Sequence, residues 1–421
     1  MTNDAVGRVR RRVRRWAAGL LLVLATPVSA LEYDGHLKTR LNGVDYASNS
    51  QFAQSSGGGD ASLTLEGRLN GSHDFQDWRL NFAWQGFANH RDDADTTTLP
   101  MAAGGGNLAA DDSRRLFDLS SGSGEDETRY AHRIDRLALT YATTQSVIIL
   151  GRQALSWGNG LLFNPMDIVN PFDPTAVDTE YKTGDDMAYA QYLFDDGSDL
   201  QGALVFRRDP ASGRLESTES TLALKYHRLM GDNELDMLAA RNHGNTVIGL
   251  GGNGLVGEAV WRADLVFTEA EEWVMEAALN LSYSWVWRER NYTGSIEYFH
   301  HGFGQREDNY SIAALAMNTA LLDRLGRGES FTLGRNYLGA SMSTELTALT
   351  TLGSNIFINL DDGSGLLQLT LQRSAADNVT LLGALTIPMG PEGSEYGGIA
   401  AGDGSYYSTG AALMLQAAWY R

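Results

Sequence analysis

Residues 271–288, EEWVMEAALNLSYSWVWR, alternate between apolar and mostly polar or small side chains along their whole length. A two-residue period places alternate side chains on opposite faces of a β-strand. The apolar face begins with Trp273 and ends with Tyr283, Trp285 and Trp287. A strand tilted by about 40° rises roughly 25 Å between Trp273 and Tyr283. Soluble strands average only about 5–6 residues, so this stretch favours a strand that crosses a membrane.

The same alternation recurs in about 18 segments, which are joined by short polar turns and long links in alternation. The long links fall at roughly 46–60, 89–130, 153–185, 301–336 and 388–404. This layout is typical of an outer-membrane barrel with short periplasmic turns and long extracellular loops. We therefore predict an all-β fold, a transmembrane antiparallel β-barrel of about 18 strands (16–18). Four segments alternate less cleanly: 131–142, 146–153, 186–194 and 246–252.

Aromatic side chains on the outer face are expected at the lipid headgroups, where their amphipathic rings are favourable. The residues expected there are Trp78, Trp84, Trp273, Tyr283, Trp285 and Trp287. A secreted β-sandwich or β-helix would also alternate, because one face of each strand is buried. The length of 271–288 and its aromatic ends favour the barrel.

The N-terminus predicts export. Six arginines between Arg8 and Arg15 precede the apolar stretch WAAGLLLVLATPVSA, which is typical of a signal peptide covering residues 1–30. Residues 31–421 are then a single barrel domain in the outer membrane of a Gram-negative bacterium. The full chain carries a net charge of −19, and removing six Arg and one Asp leaves about −24, which argues against a nucleic-acid partner. There is no cysteine, so disulfides and thiol chemistry are excluded.

Two stretches resemble known proteins. LGRQALSWGNGLLFNPMDIVNPFDP at 150–174 and EYFHHGFG at 297–304 resemble proteobacterial outer-membrane barrels of the porin and alginate-export-like type, close to a largely uncharacterised group of them. The resemblance implies a channel of 16–18 strands. Outer-membrane barrels typically finish on a terminal aromatic residue, whereas here Trp419 and Tyr420 are followed by Arg421.

The alternation also assigns charged side chains to the lumen. The pore-lining candidates are Lys38, Arg40, Glu66, Arg68, Arg79, Arg152, Lys225 and Arg262. Their arginines and lysines fit selection of an anionic or sugar-like solute. The same charges also fit a wall of cross-strand ion pairs, in which acidic neighbours satisfy the basic groups.

The long link at 153–185 contains three of the eight prolines, and each of them restricts its own backbone and the residue before it. Such a stiff loop either folds into the barrel as a constriction or needs rigid turns at the surface. The constriction candidates are Trp157, Asn164, Pro165, Asn170, Pro171 and Pro174. Residues 309–328 break the two-residue period, and their apolar spacing predicts a helix of about 14 residues that stops at Gly326.

No pattern typical of a catalytic centre, a metal site or a cofactor site is present, so we expect neither an enzyme nor a bound cofactor. The first functional hypothesis is a porin-like channel for small polar or anionic solutes. The alternatives are a barrel that partners a periplasmic system exporting or assembling polysaccharide or lipid, and a plugged structural barrel. The expected partners are outer-membrane lipid and lipopolysaccharide, the barrel-assembly machinery, the solute and possible periplasmic proteins.

Overall fold

A computed structural model describes residues 32–91, 112–125 and 127–421, so the predicted signal peptide at 1–30 lies outside the described residues. In these ranges, nine strands precede residue 231: β1 (Glu32–Asp45), β2 (Gly59–Phe75), β3 (Trp78–Arg91), β4 (Ser120–Glu125), β5 (Thr128–Ala142), β6 (Ser146–Gln153), β7 (Asp185–Leu193), β8 (Asp199–Val205) and β9 (Thr221–Met230). Twelve follow: β10 (Asn233–Asn242), β11 (Asn245–Val256), β12 (Ala259–Glu269), β13 (Trp273–Trp287), β14 (Arg290–His301), β15 (Asn336–Thr347), β16 (Thr350–Asn359), β17 (Gly365–Ala376), β18 (Val379–Met389), β19 (Ile399–Ala400), β20 (Tyr406–Tyr407) and β21 (Ala412–Tyr420).

Eighteen of these strands close into an antiparallel barrel, which confirms the predicted fold and strand number. β1 pairs with β2 on one side and with β21 on the other, for example Leu41 with Leu415, so the first and last strands seal the barrel. β4 is an additional short strand on the upper half of β5, and β19 and β20 form a separate hairpin. Closure pairs each of the eighteen strands with a neighbour on both sides, as spanning a membrane requires.

The two ends of the barrel differ as expected. At the periplasmic end, eight links of two to five residues join the strands, and both β1 and β21 have their terminal residues there. The five expected long links lie at the extracellular end. A sixth long link, 206–220, was not predicted.

Among the described residues, three helices lie in the extracellular links: α1 (Gln51–Ser56), α2 (Ile312–Ala316) and α3 (Thr319–Arg327). The single helix predicted within 309–328 is wrong, because Asn318 caps a new helix and α3 ends at the left-handed Gly328, not at Gly326. No helix in the described residues combines the length and apolar character needed to cross a bilayer.

The outer face of β13 is lipid-facing. Leu279 is 53% exposed on this face, whereas its neighbours Ala278 and Asn280 are buried on the inner face. Trp273 begins the strand at the extracellular end, and Tyr283, Trp285 and Trp287 lie towards the periplasmic end. Trp78 is also at the periplasmic end of its strand, 4.9 Å from the ring of Tyr141.

Trp84 does not lie at a strand end. It is the seventh of the fourteen residues of β3, and its ring occupies the space beside Gly86. At about 3.3 Å per residue and a tilt near 40°, Trp84 lies roughly 15 Å above Trp78, deep in the apolar band. The expected headgroup position is therefore wrong for this tryptophan.

Leu279→Arg is expected to lower the free energy of unfolding by about 2–4 kcal/mol, because the charge would lie near the bilayer midplane. Ser284→Arg is the matched control, since Ser284 lies on the inner, water-facing side of the same strand and is exposed. Urea-dependent folding into lipid vesicles measures both. Equal losses for the two variants would show that the assignment of the outer face of β13 is wrong.

Three neighbouring strands are short, and this decides where the link 154–184 begins. β6, β7 and β8 have 8, 9 and 7 residues, whereas β2 has 17. β6 pairs only with the lower half of β5, up to Leu137 opposite Arg152. Above that level β4 and residues 112–119 complete the wall, and Arg115 bridges to Arg207. The chain therefore leaves the wall at Gln153 about halfway up the barrel.

Candidate functional site

Residues 154–184, which we call the internal loop, lie inside the barrel. The loop contacts inner-face residues of strands around most of the circumference, and the wall residues involved are Gln201 on β8, Asp264 on β12, Phe299 on β14, Gln368 on β17, Gln416 on β21, Lys38 on β1 and Arg68 on β2. Of the two alternatives for this stiff segment, the structure therefore favours the one in which it folds into the barrel.

Two buried carboxylates hold the outgoing arm of the internal loop. The Glu297 carboxylate accepts hydrogen bonds from the backbone N–H groups of Leu161 at 3.0 Å and Phe163 at 2.6 Å, and also from Leu162. The Asp264 carboxylate accepts from the N–H of Asn159 at 2.7 Å and from Gly160. Among the described residues neither carboxylate has a basic group within 4 Å, so backbone donors satisfy both buried charges.

Apolar contacts reinforce the same arm. The ring of Phe163 stacks on that of Phe299 at 4.6 Å and packs against Tyr337 and Phe357 on β15 and β16. Trp157 is buried among inner-face side chains of β8 to β12 and donates from its ring nitrogen to Gln201 at 2.7 Å. Sequence reasoning selected Trp157 but missed Phe163 and Phe299, although both lie in the two stretches that carry the resemblance.

Asn and Pro residues shape the bends of the loop. The Asn164 side chain donates to the carbonyl of Trp157 at 2.9 Å, which closes the turn before Pro165. Asn170 has a left-handed backbone with φ of 50°, a conformation that asparagine tolerates better than most residues, and Pro171 follows it. Pro174 precedes Thr175, whose carbonyl accepts from Gln368 at 2.9 Å.

A buried ion pair clamps the two arms together. The ammonium group of Lys182 lies 2.6 Å from both carboxylate oxygens of Asp167 and also donates to the carbonyl of Leu155 and the hydroxyl of Ser156. Burial raises the pKa of Asp167 to about 6, although Lys182 lowers it. Every donor position of the ammonium is thus used, which keeps the base of the loop closed.

The returning arm is held by opposite charges. Lys38 donates to Asp178 at 2.7 Å and lies 2.8 Å from Glu180, and Arg40 is 3.1 Å from Asp178. The Arg68 guanidinium lies 4.0 Å from the ring centre of Tyr181. These basic residues do lie on the inner face. The carboxylates that pair with Lys38 and Arg40 come from the internal loop, whereas the carboxylate that pairs with Arg68 belongs to Asp135 on β5. Glu66 accepts from His36 and Gln85.

Arg152 is a correction to the predicted pore lining. It is only 2% exposed, and its guanidinium binds Asp186 and Asp112 at 2.8 Å and the carbonyls of Ile134 and Phe117. The side chain therefore joins the top of β6 and β7 to the segment that completes the wall above them. It does not border the open lumen, because β6 ends beneath that segment.

The remaining pore-lining candidates lie on separate parts of the inner face. Arg79 pairs with Asp74 at the periplasmic mouth, where both are exposed. Lys225 pairs with Asp236 at 3.0 Å. Arg262 donates to Ser282 at 2.8 Å and has no carboxylate within 4 Å among the described residues. Of these three side chains, Arg79 is exposed and Arg262 is half-buried, as expected next to a water-filled path, whereas Lys225 is buried.

Several loop side chains face the space that remains. Leu161 is 51% exposed and Phe172 is 38% exposed, while Thr179 and Glu180 are also exposed. Since the other side of the loop is bound to the wall, these side chains border the open lumen. Within the described ranges, no three or more His, Asp or Glu side chains cluster in a way that could bind a metal ion.

Two extracellular links pack on each other beside the mouth. Tyr310, Leu321 and Leu333 of link 302–335 form a cluster with Ile399 of link 390–411. The Glu395 carboxylate lies at this junction and accepts from the N–H of Leu333 at 2.8 Å. The hydroxyl of Tyr337 and the amide of Asn359 also donate to it.

The contact between these two links is expected to weaken as the pH rises. Burial raises the pKa of Glu395 to about 7, even though three hydrogen bonds lower it. Since an exposed Glu titrates near 4.3, the packed state binds the proton more readily. This contribution to packing is fully present below about pH 4 and is lost as the pH rises from about 4 to 7. Amide exchange of residues 390–400, corrected for intrinsic rates, should be slower at pH 5 than at pH 8. Glu395→Gln should remove most of that difference, and an unchanged difference would contradict the assignment.

Comparison with known proteins supports the fold. No protein-family model and no curated sequence matches the chain. Among solved structures, a BenF-like porin from Pseudomonas fluorescens Pf-5 superimposes with a TM-score of 0.52 at 10% identity, covering 94% of this chain and 99% of that one. OpdQ of Pseudomonas aeruginosa gives 0.51 at 8% identity over 94% and 99%, and OccAB4 of Acinetobacter baumannii gives 0.51 at 8% over 93% and 98%. The chain thus has the fold of a porin-type outer-membrane barrel.

Proposed function

We propose that the protein is an outer-membrane channel that passes small polar solutes, including anions, through the space bordered by the internal loop. The observation that carries this proposal is the position of the loop, which is bound to the inner wall around most of the circumference while Leu161, Phe172 and Glu180 remain exposed. An ordered ring with solvent-exposed inner side chains narrows a lumen without filling it. The porins with similar folds agree with this function.

The dimensions are compatible with small solutes. Eighteen strands about 4.8 Å apart and tilted by about 40° give a backbone radius of roughly 18 Å. Wall side chains take up about 5 Å of this radius, and one layer of chain takes up to about 10 Å more. A passage a few ångströms in radius fits a sugar, an organic acid or a hydrated ion.

Export through the predicted signal peptide, assembly by the barrel-assembly machinery and contact with lipopolysaccharide are part of the same proposal. Its support is the N-terminal pattern and the lipid-facing outer surface, where Leu279 and Trp273 are exposed. The second candidate function is passage of polysaccharide. Its support is the resemblance of the stretch at 150–174 to alginate-export-like barrels.

Planar-bilayer recording of the purified protein tests the proposal. We expect steady single-channel steps that scale with salt concentration, and swelling of protein-containing liposomes in small sugars that declines steeply with solute size. A folded barrel that gives no steps and no swelling would contradict the channel. Current blocked by polysaccharide but not by its monomers would favour the second candidate.

A further inference from the structure

The inner faces of β2, β3 and β5 carry a row of polar side chains, of which only Arg68 was assigned a role above, in holding the returning arm. Arg68 lies opposite Gln85, and Gln85 lies opposite Arg133, so the three are neighbours on one face. A bulge at Asp135 follows, and Arg136 then pairs with Ala83, which is buried on the inner face. A bulge brings successive residues to one side of the sheet. It thereby places three guanidinium groups around the Asp135 side chain.

One carboxylate serves all three cations. Asp135 lies 2.8 Å from Arg68, 2.7 Å from Arg136 and 3.9 Å from Arg133. Among the described residues, no other carboxylate lies within 4 Å of these guanidinium groups. Glu66 is the next acid in the row, and it accepts from Gln85 at 2.6 Å and from His36. The cluster therefore carries an excess of positive charge.

Two of the three arginines keep accessible donors. Arg133 uses Nε and Nη2 on the Gln85 oxygen, at 3.0 and 2.8 Å, which leaves Nη1 free of protein partners in the described part of the chain. Arg136 uses Nη1 on Asp135 and Nη2 on the carbonyl of Lys182, which leaves its Nε without a hydrogen-bond partner among the described residues. Their side chains are 13% and 20% exposed, whereas Arg68 is buried beneath Tyr181. Arg68 therefore positions Asp135, and Arg133 and Arg136 face solvent.

We propose that Arg133 and Arg136 form a subsite for the oxyanion group of a solute, either a carboxylate or a phosphate; the inference rests on the proposed channel function. A guanidinium group can donate two parallel hydrogen bonds to one oxyanion, and partial burial strengthens the electrostatic attraction between the two charges. Arg136 contacts the base of the internal loop through Lys182, and Arg133 lies closer to the extracellular end of β5. A solute entering from outside thus meets the subsite immediately before the constriction.

The test is the block of single-channel chloride current by inorganic phosphate and, separately, by acetate. We expect block by at least one probe, and Arg133→Gln with Arg136→Gln should weaken it about tenfold, the loss of one or two charge-assisted hydrogen bonds. Arg373→Gln is the matched control, because it removes the same charge from the outer face. Loss of block by phosphate alone assigns a phosphate site, and loss of block by acetate identifies a carboxylate site.

Unchanged block in the double variant would overturn the subsite while leaving the channel intact. Arg133→Gln alone keeps the ion pairs of Asp135 with Arg68 and Arg136, so this single variant should fold even if the double variant does not. It then serves as the test. If the wild type gives no current, calorimetric titration of the purified barrel with the same two probes decides the subsite independently. Equal heats for wild type and Arg133→Gln would then refute it.

Discussion

Replacing residues 157–180 with Gly-Ser-Gly-Ser is expected to raise the single-channel conductance severalfold and to weaken charge selectivity. The replacement removes the stiff segment 163–174 together with the outgoing and returning arms. Only the wall side chains then narrow the lumen, whose radius becomes roughly 13 Å. A short linker can close the gap because Gln153 and Asp185 are paired at the end of β6 and β7. The 18 wall strands keep all their backbone pairing.

The matched control replaces residues 210–213, an exposed turn in the extracellular link 206–220, with the same four residues. It should leave the conductance unchanged, because no contact joins this turn to the internal loop. Equal conductance of the 157–180 variant and the wild type would mean that the ion path avoids the loop. Heat-dependent gel mobility establishes that each variant has folded.

Glu297→Ala is expected to release the outgoing arm and produce flickering between a narrow and a wide current level. The change leaves three backbone N–H groups and the Asn280 amide without their acceptor in a buried place. Each unsatisfied buried donor costs about 1–3 kcal/mol, so the free energy that holds the arm against the wall falls by several kcal/mol unless water enters. Current noise at constant voltage reports the undocking directly.

Two further variants separate this effect from damage to the wall. Glu297→Gln keeps one acceptor oxygen and should flicker less than the alanine variant. Glu345→Ala removes a carboxylate at the periplasmic end, where Glu345 accepts from Asn291 and is exposed, and should not flicker. Steady current in Glu297→Ala would show that Asp264 and the packing of Phe163 and Trp157 hold the arm without Glu297.

The strands and their outer faces could be predicted because lipid contact imposes a two-residue period along β13 and its neighbours. Two of the four less regular segments have a physical cause in the structure. In 246–252 on β11, Val247 on the inner face packs against the cluster of Trp157 and Met166 from the internal loop, so the inner face is apolar there. In 131–142 on β5, the bulge at Asp135 breaks the two-residue period.

The partners of the lumen charges could not be predicted. Lys38 and Asp178 are 140 residues apart, and nothing local to either residue indicates the other. A cross-strand pairing of Lys38 with Glu66 is suggested by the register, but Asp178 and Glu180 reach Lys38 first because the loop crosses the lumen. The role of Arg152 was missed for a similar reason, since β6 looks like a full strand until its pairing is known.

Thiol modification during single-channel recording tests the central claim most directly, because the chain has no cysteine of its own. Leu161→Cys and Phe172→Cys place a thiol on the exposed side of the internal loop, and Leu279→Cys places one on the outer face. An anionic methanethiosulfonate should lower the current in discrete, reducible steps for the two loop variants and leave the Leu279→Cys current unchanged. Unchanged current in loop variants that mass spectrometry shows to be labelled would contradict a conduction path bordered by this loop.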